Sequence, residues 1–222
     1  MTSQQTEPSV NDLSPMFKTG VEKEPIFLID TSGSMSWPNT EGGAARYVIL
    51  GEAIGNLVGA LEGLDSQAAH EKEAGEDAGG VMTVLFSDKT EVLGDLSSAN
   101  VKQKWDSIAW GGGTIIQPGW DAVIENYMEE FGDTPKQDRP HLLAVIFTDG
   151  EANDTDAFAS TIAKSQGGTY ALIVIMGYGP EHDRALQVYQ DITKQNDHVR
   201  VVTFGNETDP KVIADGLLSM VG

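Results

Sequence analysis

The chain has 222 residues, no cysteine, and 34 acidic against 14 basic residues, for a formal charge of −20. Disulfides and thiolate metal sites are therefore excluded, and so negative a surface repels phosphate backbones and anionic lipid, which argues against nucleic-acid and membrane partners. No apolar run approaches the ~18 residues that would span a bilayer, and the polar opening stretch has no signal-peptide core, so a cytoplasmic setting is expected.

Residues 1–22 are rich in Ser, Thr, Gln and Pro and are expected to form a flexible lead to one domain over 23–222. Pro25 opens an apolar run, Ile26 to Ile29, that predicts a strand buried on both faces, as strands of parallel sheets are. The run stops at Asp30, and Ser32 and Ser34 follow at alternate positions of a loop that also carries Met35, Trp37 and Pro38. A helix is predicted over Ala44 to Leu64, with Leu50, Ile54, Leu57, Val58, Leu61 and Leu64 on one face. Residues 65–80 contain Ala, Gly, Glu and Asp without a large apolar side chain, which predicts a flexible acidic loop. Val81 to Phe86 and Thr90 to Leu93 are close enough to form a hairpin, making one of them an antiparallel edge strand.

A short helix around Ala99 to Ile108 leads to Trp110-Gly111-Gly112-Gly113-Thr114, a backbone-permissive loop that ends on a hydroxyl. Pro118 suits the first turn of the next helix, where Trp120, Val123, Ile124, Tyr127, Met128 and Phe131 recur at helical spacing. His141 to Thr148 is a second buried strand, ending at Asp149-Gly150. Then come a helix over Asp154 to Ser165, a strand over Thr169 to Met176, a helix over Glu181 to Lys194 and a strand over Val199 to Phe204. Thr208 or Asp209 caps a last helix with Pro210 in its first turn and Val212, Ile213, Leu217, Leu218 and Val221 facing inward. This order predicts an α/β fold: a Rossmann-like, doubly wound, mostly parallel central sheet with one antiparallel edge strand.

Ligands of such sheets sit beyond the carboxyl ends of the strands. Three loops arrive there, carrying Asp30, Ser32 and Ser34, then Thr114, then Asp149. Hard oxygen donors of this kind suit magnesium, calcium or manganese rather than zinc or copper. Taken singly, each residue has an ordinary reading, since Asp and Ser are common in turns and caps. Together they resemble the von Willebrand factor type A (VWA) family. Its metal-ion-dependent adhesion site (MIDAS) is Asp-x-Ser-x-Ser on one loop, Thr on a second and Asp on a third. All five residue types stand in family order, and the matching strand–helix order runs from Ile26 to Val221.

The resemblance implies a divalent cation, Mg2+ with Mn2+ or Ca2+ as alternatives, held by Asp30, Ser32, Ser34, Thr114 and Asp149. The aspartates would act largely through bridging waters, leaving one position for a Glu or Asp carboxylate of a partner protein. It thus implies a non-enzymatic interaction domain, and the chain looks like intracellular bacterial members of the tellurite-resistance type.

Two other readings compete. One is a magnesium-dependent phosphohydrolase of the haloacid-dehalogenase type, which also starts from a strand-end Asp. That chemistry needs a second Asp two residues on, where Ser32 stands, and a lysine to hold the phosphoryl charge, and no lysine is expected near these loops. The other is a structural VWA module whose site binds no partner. The glycine run lacks the Lys of a P-loop, no Gly-x-Ser-x-Gly elbow surrounds Ser32 or Ser34, and the histidines at 70, 141, 182 and 198 lack metal-ligand spacing. Glu151, Asp154 and Asp156 follow Asp149, either deepening the negative field or, as we favour, stabilising a helix N-terminus. Glu151 is also a candidate partner contact. Trp37 is open between an exposed interface anchor and a side chain packed over its own loop.

Overall fold

Successive apolar residues of the first strand, β1 (Lys23–Asp30), point to opposite faces of a sheet, and helices cover both. Phe27 and Ile29 pack beneath one layer of helices, Ile26 and Leu28 beneath the other. The computed structural model describes residues 22–38, 43–64, 80–150, 152–176, 180–205 and 207–221. The expected polar lead up to residue 21 and the acidic loop over 65–79 lie outside them.

The remaining strands are β2 (Thr83–Phe86), β3 (Thr90–Val92), β4 (His141–Thr148), β5 (Thr169–Ile175) and β6 (Val199–Thr203). They form one six-stranded sheet in the order β3-β2-β1-β4-β5-β6. All neighbours are parallel except β2 and β3, the antiparallel hairpin anticipated from its short turn. The strand order changes direction between β1 and β4, which places Asp30 and Asp149 at the switch point of the sheet.

The helices are α1 (Arg46–Leu64), α2 (Val101–Asp106), α3 (Gln117–Phe131), α4 (Thr155–Ile162), α5 (Pro180–Thr193) and α6 (Pro210–Val221). Helices α1, α2 and α6 cover one face through Leu50, Ile54, Leu57, Trp105, Ile213 and Leu217. Helices α3, α4 and α5 cover the other through Trp120, Val123, Phe158, Ile162 and Tyr189. Among the described residues no helix is long and apolar enough to cross a membrane.

Several local expectations shift. β1 begins at Lys23, so Pro25 lies inside it. The N–H of Phe27 points to the β2 side, where it donates to the Met82 carbonyl at 2.9 Å. Pro25, two residues earlier, would present its missing N–H to that same side, but β2 pairing starts only at Phe27. Helix α1 begins at Arg46 because Ala45 is held in a bridge to Pro38. Val81 makes only an isolated bridge to Leu96, which shortens β2. The expected inner faces of α3 and α6 each contain one exposed residue: Met128 lies at the α3 surface against Arg139, and Val212 lies outward on α6. Ala214 and Met220 are buried on α6 instead.

Helix α3 sits so close to the sheet that a Cβ at Gly119 would lie 2.8 Å from Leu28 Cδ1 and 3.0 Å from Phe86 Cβ. Gly119→Ala is therefore expected to destabilise the fold by about 1–3 kcal/mol in urea denaturation, although alanine is the better helix former by about 1 kcal/mol.

Candidate metal centre

Asp30 ends β1 fully buried, with both carboxylate oxygens engaged. Oδ1 accepts the backbone N–H of Ser32 at 2.8 Å, which closes the first turn of its loop. Oδ2 accepts the Thr148 hydroxyl at 2.8 Å, and that hydroxyl oxygen accepts the Gly150 N–H at 3.0 Å. Thr148 thus ties the end of β1 to the turn after β4. Beyond Ser32 the chain makes a short 3-10 turn, Gly33–Ser36, which brings the Ser34 hydroxyl back to 3.1 Å from that of Ser32. Met35, fully buried in the α1-side core, pins the turn from below.

The glycine loop is laced to the first loop by backbone bonds. Gly111 N–H donates to the Thr31 carbonyl at 2.8 Å and Gly33 N–H to that of Gly112 at 3.2 Å. Gly112 has φ +84°, and a Cβ there would lie 2.5 Å from Asp88 Oδ1, so both conformation and space demand glycine. Thr114, buried at the end of this loop, is held from the third loop: its carbonyl accepts the Asn153 N–H at 2.8 Å.

Asp149 is buried, and its Oδ2 accepts Arg46 Nη1 at 2.9 Å. Among the described residues its Oδ1 is buried without a hydrogen-bond donor. Arg46, at the start of α1 and also buried, spends Nη1 a second time on the Ser34 carbonyl at 3.3 Å. Its Nη2 lies 3.1 Å from His182 Nε2. Guanidinium nitrogens only donate, so Nε2 is the accepting nitrogen of this pair.

Burial, and secondarily the negative charge of Asp149, push the Asp30 carboxyl from its ordinary 3.8 up to about 7, against the opposing bonds from Ser32 and Thr148. Two buried carboxylates, three nearby hydroxyl residues and an acceptor without a donor form an environment that a hard cation would complete. Among the described residues no group of three or more His, Asp or Glu gathers to hold a metal, so the donor set here is hydroxyl-rich with two carboxylates.

The structure brings Asp30, Ser32, Ser34, Thr114 and Asp149 to one edge of the sheet on three interlocked loops. Trp37 is 59% exposed, so it is not packed over its loop. Glu151 lies outside the described residues. Asp154 stabilises a helix N-terminus, though not that of its own helix: its two oxygens accept the N–H groups of Ile116 at 3.0 Å and Gln117 at 2.9 Å, at the start of α3. Asp156 is exposed and pairs with Arg184. A lysine does approach these loops, because Lys89 lines a cavity of about 440 Å³ with Thr31, Gly111 and Gly112.

Sequence reasoning missed Arg46, Thr148 and His182. One signal was present for Arg46: it is the lone basic residue of the predicted helix and stands in its first turn, where the helix dipole disfavours a cation. Such a placement calls for a nearby anion.

The von Willebrand factor type A domain model matches residues 26–209. Among solved structures, the D319A mutant of the PilB minor pilin from Streptococcus sanguinis is 13% identical with a TM-score of 0.55, over 90% of this chain and 61% of the pilin chain. This chain therefore spans 61% of that relative. The SpRpn10 VWA domain is 14% identical with a TM-score of 0.54, over 89% of this chain and 94% of that one. The manganese-loaded Plasmodium vivax TRAP protein is 14% identical with a TM-score of 0.53, over 89% and 74%. These likenesses are of fold. No curated protein matches.

Asp154→Ala would remove two charge-assisted bonds from the α3 N-terminus and is expected to cost about 2–4 kcal/mol in urea denaturation. For Asp30 the folded value lies above the unfolded one. Between pH 3.8 and about 7 the folded state therefore keeps a proton that the unfolded chain has lost, and stability falls as pH rises. Metal-free wild type should accordingly lose stability relative to Asp30→Asn across that window. Parallel pH profiles of the two proteins would contradict this origin.

Proposed function

The chain belongs to the von Willebrand factor type A domain family, and from that premise we propose that it is a non-enzymatic, metal-dependent protein-binding domain. In this reading Asp30, Ser32, Ser34, Thr114 and Asp149 form a complete MIDAS, holding Mg2+, or Mn2+ or Ca2+ in its place. The bound ion supplies an electrophilic position that a Glu or Asp carboxylate of the partner protein fills. The observation that carries the reading is Asp149 Oδ1, a buried acceptor with no donor beside it among the described residues. Leaving such an oxygen unsatisfied costs about 1–3 kcal/mol, more for a charged group, which a cation would recover.

The protein's own groups divide the work. Ser32, Ser34 and Thr114 offer neutral oxygens that leave a cation's charge largely unquenched, while Asp30 and Asp149 supply the negative charge. The bonds from Ser32 N–H and Thr148 hold Asp30 in one orientation. Trp37, exposed on the first loop, offers the partner an apolar contact, and Glu151 is assigned as a second, polar one. A structural neighbour described as manganese-loaded is compatible with the choice of cation. The reading extends to a cytoplasmic, tellurite-resistance-like member, for which the cysteine-free composition is the support.

The phosphohydrolase reading gains a nearby lysine in Lys89, yet position 32 is Ser where that chemistry requires a second Asp. The interaction reading is the better supported one.

Mg2+ or Mn2+ at about 100-fold saturation is expected to stabilise the native protein by about 2.7 kcal/mol. The check is thermal melting with metal against chelator, and an unchanged Tm would count against the site. Thr114→Ala should abolish metal-dependent capture of the partner while keeping the fold. Retention of the partner at full strength by that variant would place the contact elsewhere. Asp149→Ala is a poor probe, because it would strand the buried guanidinium of Arg46.

A further inference from the structure

Arg46 lies in the first turn of α1, at the end of a helix that disfavours a cation, and it is buried there beside the candidate ligands. A buried guanidinium is costly unless its charge is matched, and its match is Asp149. The contact joins residues 103 positions apart, through one oxygen of the carboxylate only. The other oxygen, Oδ1, is the acceptor left without a donor, and Arg46 Nε is likewise buried without a partner among the described residues. The guanidinium is thus not placed to satisfy either group fully. Its second use of Nη1 on the Ser34 carbonyl, and the bond from its own N–H to the Trp37 carbonyl at 3.0 Å, fasten it to the loop bearing Ser32 and Ser34.

We propose that Arg46 is a resident counter-cation of the site: it neutralises Asp149 when no metal is bound, so that two buried carboxylates coexist in the folded protein, and it turns Oδ1 toward the metal position. This rests on the metal reading above and adds a consequence to it. Without Arg46 the pair Asp30 and Asp149 has no fixed positive neighbour among the described contacts, and folding comes to depend on the divalent ion. The same positive charge opposes a second cation, so Arg46 keeps the metal exchangeable instead of permanently held. Arg46 is therefore a positioning residue that sets affinity, not a ligand.

The experiment compares the full-length wild type with Arg46→Gln, Arg46→Lys and the double variant Arg46→Gln/Asp149→Asn, by thermal melting with Mn2+ and with chelator, and by titration calorimetry with Mn2+ alone. Arg46→Gln is expected to lower the metal-free Tm much more than the Mn2+-loaded Tm, and to bind Mn2+ roughly tenfold or more tighter, because one opposing charge is gone. Arg46→Lys, which keeps the charge, should retain an Mn2+ affinity near that of wild type. In metal-free protein the double variant should recover most of the Tm lost by Arg46→Gln, since the unpaired carboxylate is the source of the loss.

A side chain that merely packs would lower both melting temperatures equally and give no rescue by Asp149→Asn; that result overturns the proposal. Weaker Mn2+ binding by Arg46→Gln also overturns it. If Arg46→Gln does not fold without metal, the double variant decides: its folding supports the counter-cation role and its failure refutes it. Should Mn2+ leave wild type unmoved, the metal reading itself falls, whereas a responsive wild type with an unchanged Arg46→Gln affinity defeats only this inference.

Discussion

Asp30 and Asp149 end two adjacent parallel strands, both buried and both close enough that the charge of one raises the carboxyl of the other. Two uncompensated carboxylates in such a place would be intolerable, since the penalty for a buried unpaired charge amounts to several kcal/mol. The surrounding structure is the compensation. Asp30 receives a backbone N–H and a threonine hydroxyl and has its carboxyl pushed up to about 7, while Asp149 receives an arginine. The two acids are thus treated differently, one by hydrogen bonds and partial protonation, the other by an opposite charge.

The loops that carry the hydroxyl residues owe their positions to backbone bonds more than to side chains. Gly111 and Gly112 clasp Thr31 and Gly33, Asn153 holds the Thr114 carbonyl, and Asp154 reaches across to the first N–H groups of α3. Each of the three loops is therefore fastened to another. Displacing one displaces its neighbours, which is how loops at a sheet edge come to hold side chains as steadily as a helix would. Helix α1 joins this arrangement through Arg46, helix α3 through Asp154 and helix α5 through His182. The loops that carry the five candidate residues are in this way buttressed by three of the helices that cover the sheet.

Fold and site are linked by topology. The order β3-β2-β1-β4-β5-β6 makes β1 and β4 neighbours, although they are separated in sequence by a hairpin and three helices. Because the chain turns away from β1 and β4 in opposite directions, a crevice opens between their carboxyl ends. The sheet buries the middle of both strands on both faces, so polar side chains gather at their ends, and at the carboxyl ends these are Asp30, which closes β1, and Asp149, which follows Thr148 of β4.

Much of this was legible in the residues themselves. Continuous apolar runs and period-3.6 apolar patterns are local, and among the described residues they located the strands and α-helices to within a few residues, though not the 3-10 turn Gly33–Ser36. The abrupt ending of two buried runs on Asp marked the edge where polar chemistry is possible, and the hydroxyls of Ser32, Ser34 and Thr114 pointed to hard-cation donors. Tertiary structure alone decided which groups answer those acids. The Arg46–Asp149 pair spans 103 positions and the Thr148–Asp30 bond 118, and no local periodicity encodes a partner so far away. Likewise Asp154 sits at the N-terminus of its own helix yet serves a different one, because the loops, not the sequence neighbours, determine which N–H groups face its carboxylate. Trp37 could be placed only by the structure for the same reason: a surface loop has no periodic face, and whether its aromatic ring covers the loop or meets solvent depends on how the 3-10 turn aims it.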